Sequence, residues 1–236
     1  LSGKIDIAVH SMKDMPTIQP DGLILDTYLP REDVRDAFVS PTLSGLTDLA
    51  PGAVVGTSSL RRRAQLLHKR PDLNVVEFRG NVQTRLKKLA NGVAECTFLA
   101  CAGLNRLSMN DVPATPVATD DMLPAVAQGA IGIERRMDDS NTAELLATIH
   151  DTPTGQRLAA ERSFLLTLDG SCETPIAGLA TLEGNTVTLV GEVLRPDGSD
   201  ALSATRSGAI SDGPALGIDL AQELLKRAGP SFFDWH

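Results

Sequence analysis

Aromatic side chains make up only 3% of this 236-residue chain, and that shortage already bears on function. Proteins that hold single-stranded nucleic acid stack its bases on aromatic rings, so a chain this poor in them offers little to such a partner. Long apolar runs are missing too: none approaches the ~20 residues that a bilayer-spanning helix requires. Cysteine is sparse, with Cys96, Cys101 and Cys172 alone. An odd number without metal-site spacing supports neither a disulfide framework nor a zinc centre, and no metal is expected. There is no Walker lysine pattern and no Gly-x-Gly-x-x-Gly run, which argues against a nucleotide enzyme. Internal repeats and low-complexity tracts are absent. These gaps leave a soluble, cytoplasmic protein with no membrane or nucleic-acid partner, long enough for one large domain or two smaller ones.

Charge is plentiful but unevenly placed. The net charge is −8, yet the stretch from Gly56 to Arg106 holds ten Lys/Arg against three acids, leaving −15 on the remainder. A basic island in an acidic protein suits an anion held locally.

Ile5 to Val9 reads as a buried strand leading into the loop His10-Ser11-Met12-Lys13-Asp14. Domains seldom begin so abruptly, so an upstream segment is expected. From Pro51 to Arg106 strands and helices alternate. Ala53-Val54-Val55 is a strand, Thr57-Ser58-Ser59 caps a helix that Pro71 ends, and Asn74–Phe78 is a second strand. Asn81 opens a second helix, which Gly92 closes, and Cys96–Ala102 is a third strand before a short helix at Leu104–Leu107. This β-α-β-α-β order predicts a parallel sheet with helices on its faces. Pro113–Ala118 reads as a loop, Ala130–Glu134 as a strand, Asn141–His150 and Pro153–Leu168 as helices. Ala177–Leu182, Thr186–Leu194 and Leu202–Ser207 then form an antiparallel meander, and a last helix covers Leu216–Ala228.

Thr57-Ser58-Ser59-Leu60-Arg61-Arg62 places free backbone N–H groups at a helix start facing a sheet edge. Taken alone, it reads as an N-capped surface helix with solvated arginines, because Arg in a first turn opposes the helix dipole. Arg79 and Arg85 follow the next strand and fall at the same carboxyl edge, where open α/β sheets bind ligands. Four forked cations converging there favour a polycarboxylate site. The Lys13-Asp14 pair follows the first strand toward the same kind of edge. Asp14 is either a solvated loop acid or a carboxylate that holds transition-state charge. His10 reads as structural. Cys96 and Cys101, within an apolar strand, read as small buried hydrophobes. Cys172 sits in the loop Asp169-Gly170-Ser171-Cys172 after a long helix, unlike the two strand cysteines, but a lone loop cysteine is by itself weak evidence of covalent attachment.

The segments HSMKD (10–14), REDVRDAF (31–38), GTSSLRR (56–62), HKRPDL (68–73), FRGNVQTRL (78–86), AGLNRL (102–107), LPAVAQGAIGIE (123–134) and GSCETPI (170–176) resemble porphobilinogen deaminases in order and spacing. The resemblance covers essentially the whole chain. It implies a fold of two periplasmic-binding-protein-like α/β domains with a cleft between, plus a small C-terminal α+β domain. Domain 1 would comprise residues 1–30 and 130–147, domain 2 residues 34–123, and domain 3 residues 152–236, with crossovers near Leu29–Asp33 and Met122–Gln128 as hinges.

The activity implied is stepwise condensation of four porphobilinogen molecules, with loss of ammonia, into the linear tetrapyrrole hydroxymethylbilane. A monomer is expected. The family's dipyrromethane cofactor is thioether-linked to a loop cysteine that matches Cys172, and its catalytic aspartate matches Asp14. Ser11, Lys13, Thr57, Ser58, Ser59, Arg61, Arg62, Arg85 and Gly103 match cofactor positions. Arg79, Arg85, Arg106 and Gln128 match substrate positions. Ala127 stands where the family often has Gly. The family's N-terminal segment has no counterpart here, so this chain as written is expected to be deficient in catalysis. A binding protein of periplasmic type would share the arginines but have no use for Cys172 or Asp14.

Overall fold

The structure is a computed structural model that describes residues 3–169 and 174–233. Its strands form three sheets, and the chain visits the first twice. β1 (Ile7–Ser11) and β2 (Leu23–Tyr28) flank β8 (Ile131–Arg136), which is antiparallel to both. Among the described residues β1 pairs with β8 alone. The buried strand expected from its apolar sequence is not what forms: Ile5, just before β1, is 67% exposed and Val9 60%.

The second sheet has the order β5-β4-β6-β3-β7. β4 (Val54–Gly56) runs parallel to β5 (Asn74–Val76) and β6 (Cys96–Ala100), joined by α1 (Leu60–Lys69) and α2 (Val82–Ala90). The expected β-α-β-α-β unit is present, but the sheet is mixed rather than parallel. β3 (Asp36–Val39) lies antiparallel to β6 and to β7 (Ala114–Pro116). β7 falls where a loop was expected, and as an edge strand it tolerates Pro116, which has no N–H to give a ladder. Cys101 begins α3 (Cys101–Arg106) instead of ending β6, though it is buried as expected. Caps account for the helix starts. The Ser59 Oγ accepts from Arg62 N at 3.4 Å and the Asn81 side chain from Thr84 N at 2.9 Å, each satisfying an otherwise orphaned donor.

After α4 (Ser140–Ala147), α5 (Thr152–Thr167) and α6 (Gly213–Ala228) cover the meander β9 (Ile176–Glu183), β10 (Thr186–Leu194) and β11 (Ala201–Ala209). Leu158, Phe164, Leu189, Leu220 and Leu224 are wholly buried between helices and sheet, each contributing about 1.5–3 kcal/mol by leaving water. Gly217 permits the helix contact, since a Cβ there would collide with the Ala160 carbonyl.

One carboxylate ties these parts together. Glu161, on α5, is fully buried. Its Oε1 accepts from Arg31 Nη1 at 2.6 Å and Ala180 N at 2.8 Å, and its Oε2 from Arg31 Nη2 at 3.0 Å and Ala127 N at 2.7 Å. Arg31 also donates through Nε to the Gln128 carbonyl at 2.9 Å. Both crossovers between the first two sheets are thus fastened to α5 and β9. Ala127 keeps a left-handed backbone (φ +62°), which costs a non-glycine residue about 1–2 kcal/mol and points its N–H at Glu161.

Removing one partner of such a pair leaves a buried charge unanswered, at a cost of about 3–5 kcal/mol. Glu161→Ala should accordingly lower the thermal midpoint by about 10 °C for a chain of this length. A midpoint within a degree or two of the parent would show that the crossovers are held by other contacts.

Candidate active site

The β4–α1 corner, the turn after β1 and the start of β9 meet around a cavity of about 240 Å³. Lys13 and Asp14 come from the 3-10 turn after β1, Ser58, Ser59, Arg61 and Arg62 from the β4–α1 corner, and Arg85 from α2. Gln128 of the second crossover completes the wall, with Leu165, Thr174 and Ile176 contributed by α5 and the entry to β9. A second hollow of about 220 Å³ shares Lys13, Arg62 and Arg85 and is also lined by Gly103. The cavity wall therefore carries four cations and one exposed carboxylate, that of Asp14.

Most residues anticipated from the sequence meet here, but some do not. Thr57 is buried beneath the wall, its hydroxyl accepting from Ser59 N at 3.2 Å. Ser11 ends β1, paired with Ile131. Arg79 is 81% exposed and bridges to Glu77, while Arg106 lies on the surface with Nη2 on the Gly129 carbonyl at 2.9 Å. Neither lines the cavity. Cys172 lies outside the described residues, two positions before the cavity-lining Thr174. The hydroxyl oxygen of Ser58 accepts from Phe78 N at 2.8 Å, holding the end of β5 to the corner.

The arginines at the helix start differ from the solvated pair that the isolated segment suggests. Arg61 and Arg62 are only 4% and 5% exposed. Both forks converge on Asp36, a residue the sequence analysis missed. Arg61 Nη2 donates to Asp36 Oδ2 and Arg62 Nη2 to Asp36 Oδ1, each at 2.7 Å. Their Nη1 atoms donate to the carbonyls of Leu123 at 2.7 Å and Phe98 at 2.9 Å. Gln128 Nε2 adds a third bond to Asp36 at 2.9 Å and reaches the Val34 carbonyl at 2.8 Å. An acid opening the wholly buried strand Asp36-Ala37-Phe38-Val39 was the available clue, because a buried carboxylate demands cationic partners.

These placements set the ionisation. Burial pushes the Asp36 carboxyl upward, but Arg61 and Arg62 together outweigh it and hold it well below the usual carboxylate range. Burial, reinforced by Arg62, lowers the Lys13 ammonium to about 8, with Asp14 opposing. Burial and then Arg62 also lower Arg85. The Cys96 and Cys101 thiols are pushed up by burial to about 12 and about 11, so neither supplies appreciable thiolate near neutrality.

The donor set suits a ligand rich in carboxylates. Buried Gln128 Oε1, Arg61 Nε and Arg62 Nε have no partner among the described residues, so polar capacity remains around the cavity. Comparison with known sequences agrees. The profile described as "Porphobilinogen deaminase, dipyromethane cofactor binding domain" matches residues 1–144, and "Porphobilinogen deaminase, C-terminal domain" matches residues 156–226. The porphobilinogen deaminase of Paracoccus denitrificans is 64% identical over all of this chain and 75% of its own length. That of Nitrobacter hamburgensis is 52% identical over 99% of this chain and 74% of its own. The chloroplastic enzyme of Pisum sativum is also 52% identical over 99% of this chain, and 64% of the pea protein is covered. Among solved structures, an arginine-specific periplasmic binding protein of Salmonella typhimurium covers 64% of this chain and 67% of its own at 18% identity and a TM-score of 0.39, a likeness too slight to bear on function. With two matching profiles along nearly its full length and relatives this similar, the chain belongs to the porphobilinogen deaminase family.

Proposed function

We propose that the cation-lined cavity is where this chain performs the family's reaction, the stepwise condensation of porphobilinogen into a linear tetrapyrrole on a dipyrromethane cofactor. One observation carries the placement: Lys13, Arg61, Arg62 and Arg85 surround the single exposed acid Asp14 in a cavity whose wall includes Thr174. Cys172 is the proposed attachment point, on its match to the family's Gly-Ser-Cys segment, two positions before Thr174 in the sequence. A non-catalytic binding protein would need the cations but neither Asp14 nor Cys172.

The residues present fit the cofactor, whose rings bear carboxylates and pyrrole N–H groups. When bound, it supplies the nucleophilic pyrrole carbon to which the first substrate joins. Lys13 and Arg85 hold carboxylates, aided by the hydroxyls of Ser58 and Ser59. Arg61 and Arg62 add positive field and whatever donors Asp36 leaves free. Asp14 accepts pyrrole N–H groups and opposes the positive charge that develops on the substrate as ammonia departs, a preorganised electrostatic role. Gln128 orients substrate from the crossover. Each added pyrrole brings two more carboxylates, so a growing product needs cations beyond the cavity; Arg79 and Arg106, on the surface, are assigned to that later stage. Ser11, Thr57 and Gly103 shape the walls from behind.

The three sheets are taken to mark three domains, residues 1–30 with 130–147, residues 34–123 and residues 152–236. The working form is proposed to be a cytoplasmic monomer without nucleic-acid or membrane partners. No helix among the described residues is long and apolar enough to cross a membrane, and Lys13, Arg61, Arg62 and Arg85 line the cavity.

Cys172→Ala should yield protein with no covalent dipyrrole in an intact-mass spectrum, whereas Cys96→Ala and Cys101→Ala keep it. An adduct surviving in Cys172→Ala would move the attachment elsewhere.

Asp14→Asn, loaded with cofactor, should slow single-turnover addition of porphobilinogen by about 10²–10³-fold, the usual cost of one preorganised electrostatic contact. Asp14→Glu should fall between, since charge survives but shifts. Near-normal elongation by the Asn variant would pass the role to another acid.

Lys13 gives a pH signature. Below about pH 8 its ammonium is charged and holds a ligand carboxylate; above that value the proton is lost and the attraction with it. The half-saturating porphobilinogen concentration should therefore rise severalfold as pH climbs past this point, and Lys13→Arg should flatten the dependence. An unchanged profile in Lys13→Arg would show that Lys13 does not contact the ligand in its charged form.

A further inference from the structure

Asp36 is not a residue that the resemblance assigns to the site, yet three cavity-lining side chains end on it. A single arginine would neutralise one buried carboxylate. Here two arginines and an amide share it, from α1 and from the opposite crossover. Each arginine is pinned a second time, through Nη1, to a main-chain carbonyl. Two guanidiniums this close repel one another, and the carboxylate between them offsets that repulsion and joins the two forks to each other. Gln128, bonded to Asp36 and to the Val34 carbonyl, extends the same anchor to the segment that joins the second sheet to β8.

We propose that Asp36 is a positioning residue for the reaction: its carboxylate sets the Arg61 and Arg62 forks and the Gln128 amide in one arrangement, so that the cavity receives an anionic pyrrole without first ordering its own cations. The inference deepens the reading of the cavity as the active site and rests on it. Binding to preset groups avoids the entropy of immobilising long side chains. Without Asp36 the same charges would be present and the net positive field larger, but the forks would be free to part. A purely electrostatic view thus expects tighter anion binding when Asp36 is neutralised, and the positioning view expects weaker.

The test uses the full chain with porphobilinogen, following covalent loading by intact mass and the thermal midpoint of each variant. For Asp36→Asn the half-saturating porphobilinogen concentration for loading should rise about tenfold or more, the equivalent of one charge-assisted hydrogen bond, with a smaller change in the maximal loading rate. Asp36→Glu restores the charge one methylene away and should recover part of that shift. Should Asp36→Asn fail to fold, Asp36→Glu carries the test alone, with a severalfold rise expected. A half-saturating concentration equal to or below the parent's in whichever folded variant carries the test, whatever its thermal midpoint, would overturn the proposal and leave Asp36 a structural ion-pair partner. Arg61→Ala with Arg62→Ala separates the two levels of the argument. If that double variant loads like the parent, the reading of the cavity itself fails. If it does not load while Asp36→Asn loads at parental concentrations, only the positioning role falls.

Discussion

The frame of this molecule depends on one buried carboxylate receiving enough donors to stay charged. Glu161 is taken wholly out of water, and an ion so placed costs several kcal/mol unless its lone pairs are answered. Four hydrogen bonds answer it, two from the Arg31 fork and two from the main chain at Ala127 and Ala180. Those donors come from the two crossovers and from β9, the places where the sheets would otherwise slide past one another. The cavity is a space between parts, so its shape is inherited from this junction. The left-handed Ala127 belongs to the same bargain: a locally unfavourable backbone is kept because its N–H completes the carboxylate's shell.

Asp36 follows the same physics with a different result. Glu161 joins elements, whereas Asp36 sits beneath the cavity and disciplines the charges that line it. A surface with Lys13, Arg61, Arg62 and Arg85 in proximity would be self-repelling, and Arg62 adds to the burial that lowers the Lys13 ammonium. One acid below and Asp14 at the wall reduce the repulsion without cancelling the positive field. The surplus of acids elsewhere in the chain repels anions from most of the surface and leaves the cavity as the place they are drawn to.

The sequence made some of this legible and concealed the rest for identifiable reasons. The β4-α1-β5-α2-β6 unit and the C-terminal meander announce themselves through caps, glycine stops and apolar strands. Three strands do not. β2 carries Asp26 and Thr27 among its apolar residues, β3 is four residues long after the charged run Arg31 to Arg35, and β7 contains Pro116. Each becomes a strand only because a neighbour supplies its ladder. At the site, the convergence of Arg61, Arg62 and Arg85 follows from strand and helix order, and Lys13 and Asp14 from their place after β1. The burial of the two arginines does not, because their partner Asp36 lies in another strand and the pairing is tertiary. Arg79 shows the opposite failure: its sequence position sets it at the right edge, but Glu77 two residues away holds its fork outward in the open.

The position of β8 in the first sheet has a consequence for how the molecule comes into being. β8 lies between β1 and β2, which do not touch each other, and the His10–Glu134 bond across that ladder joins residues 124 positions apart. Among the described residues, both strands find their ladder in a third that is made later. At typical synthesis rates of about 5–20 residues per second the interval is on the order of ten seconds. Meanwhile the second sheet, whose strands are all contained between them, has everything it requires to form. Sequence order therefore favours closing the second sheet before β8 completes the first.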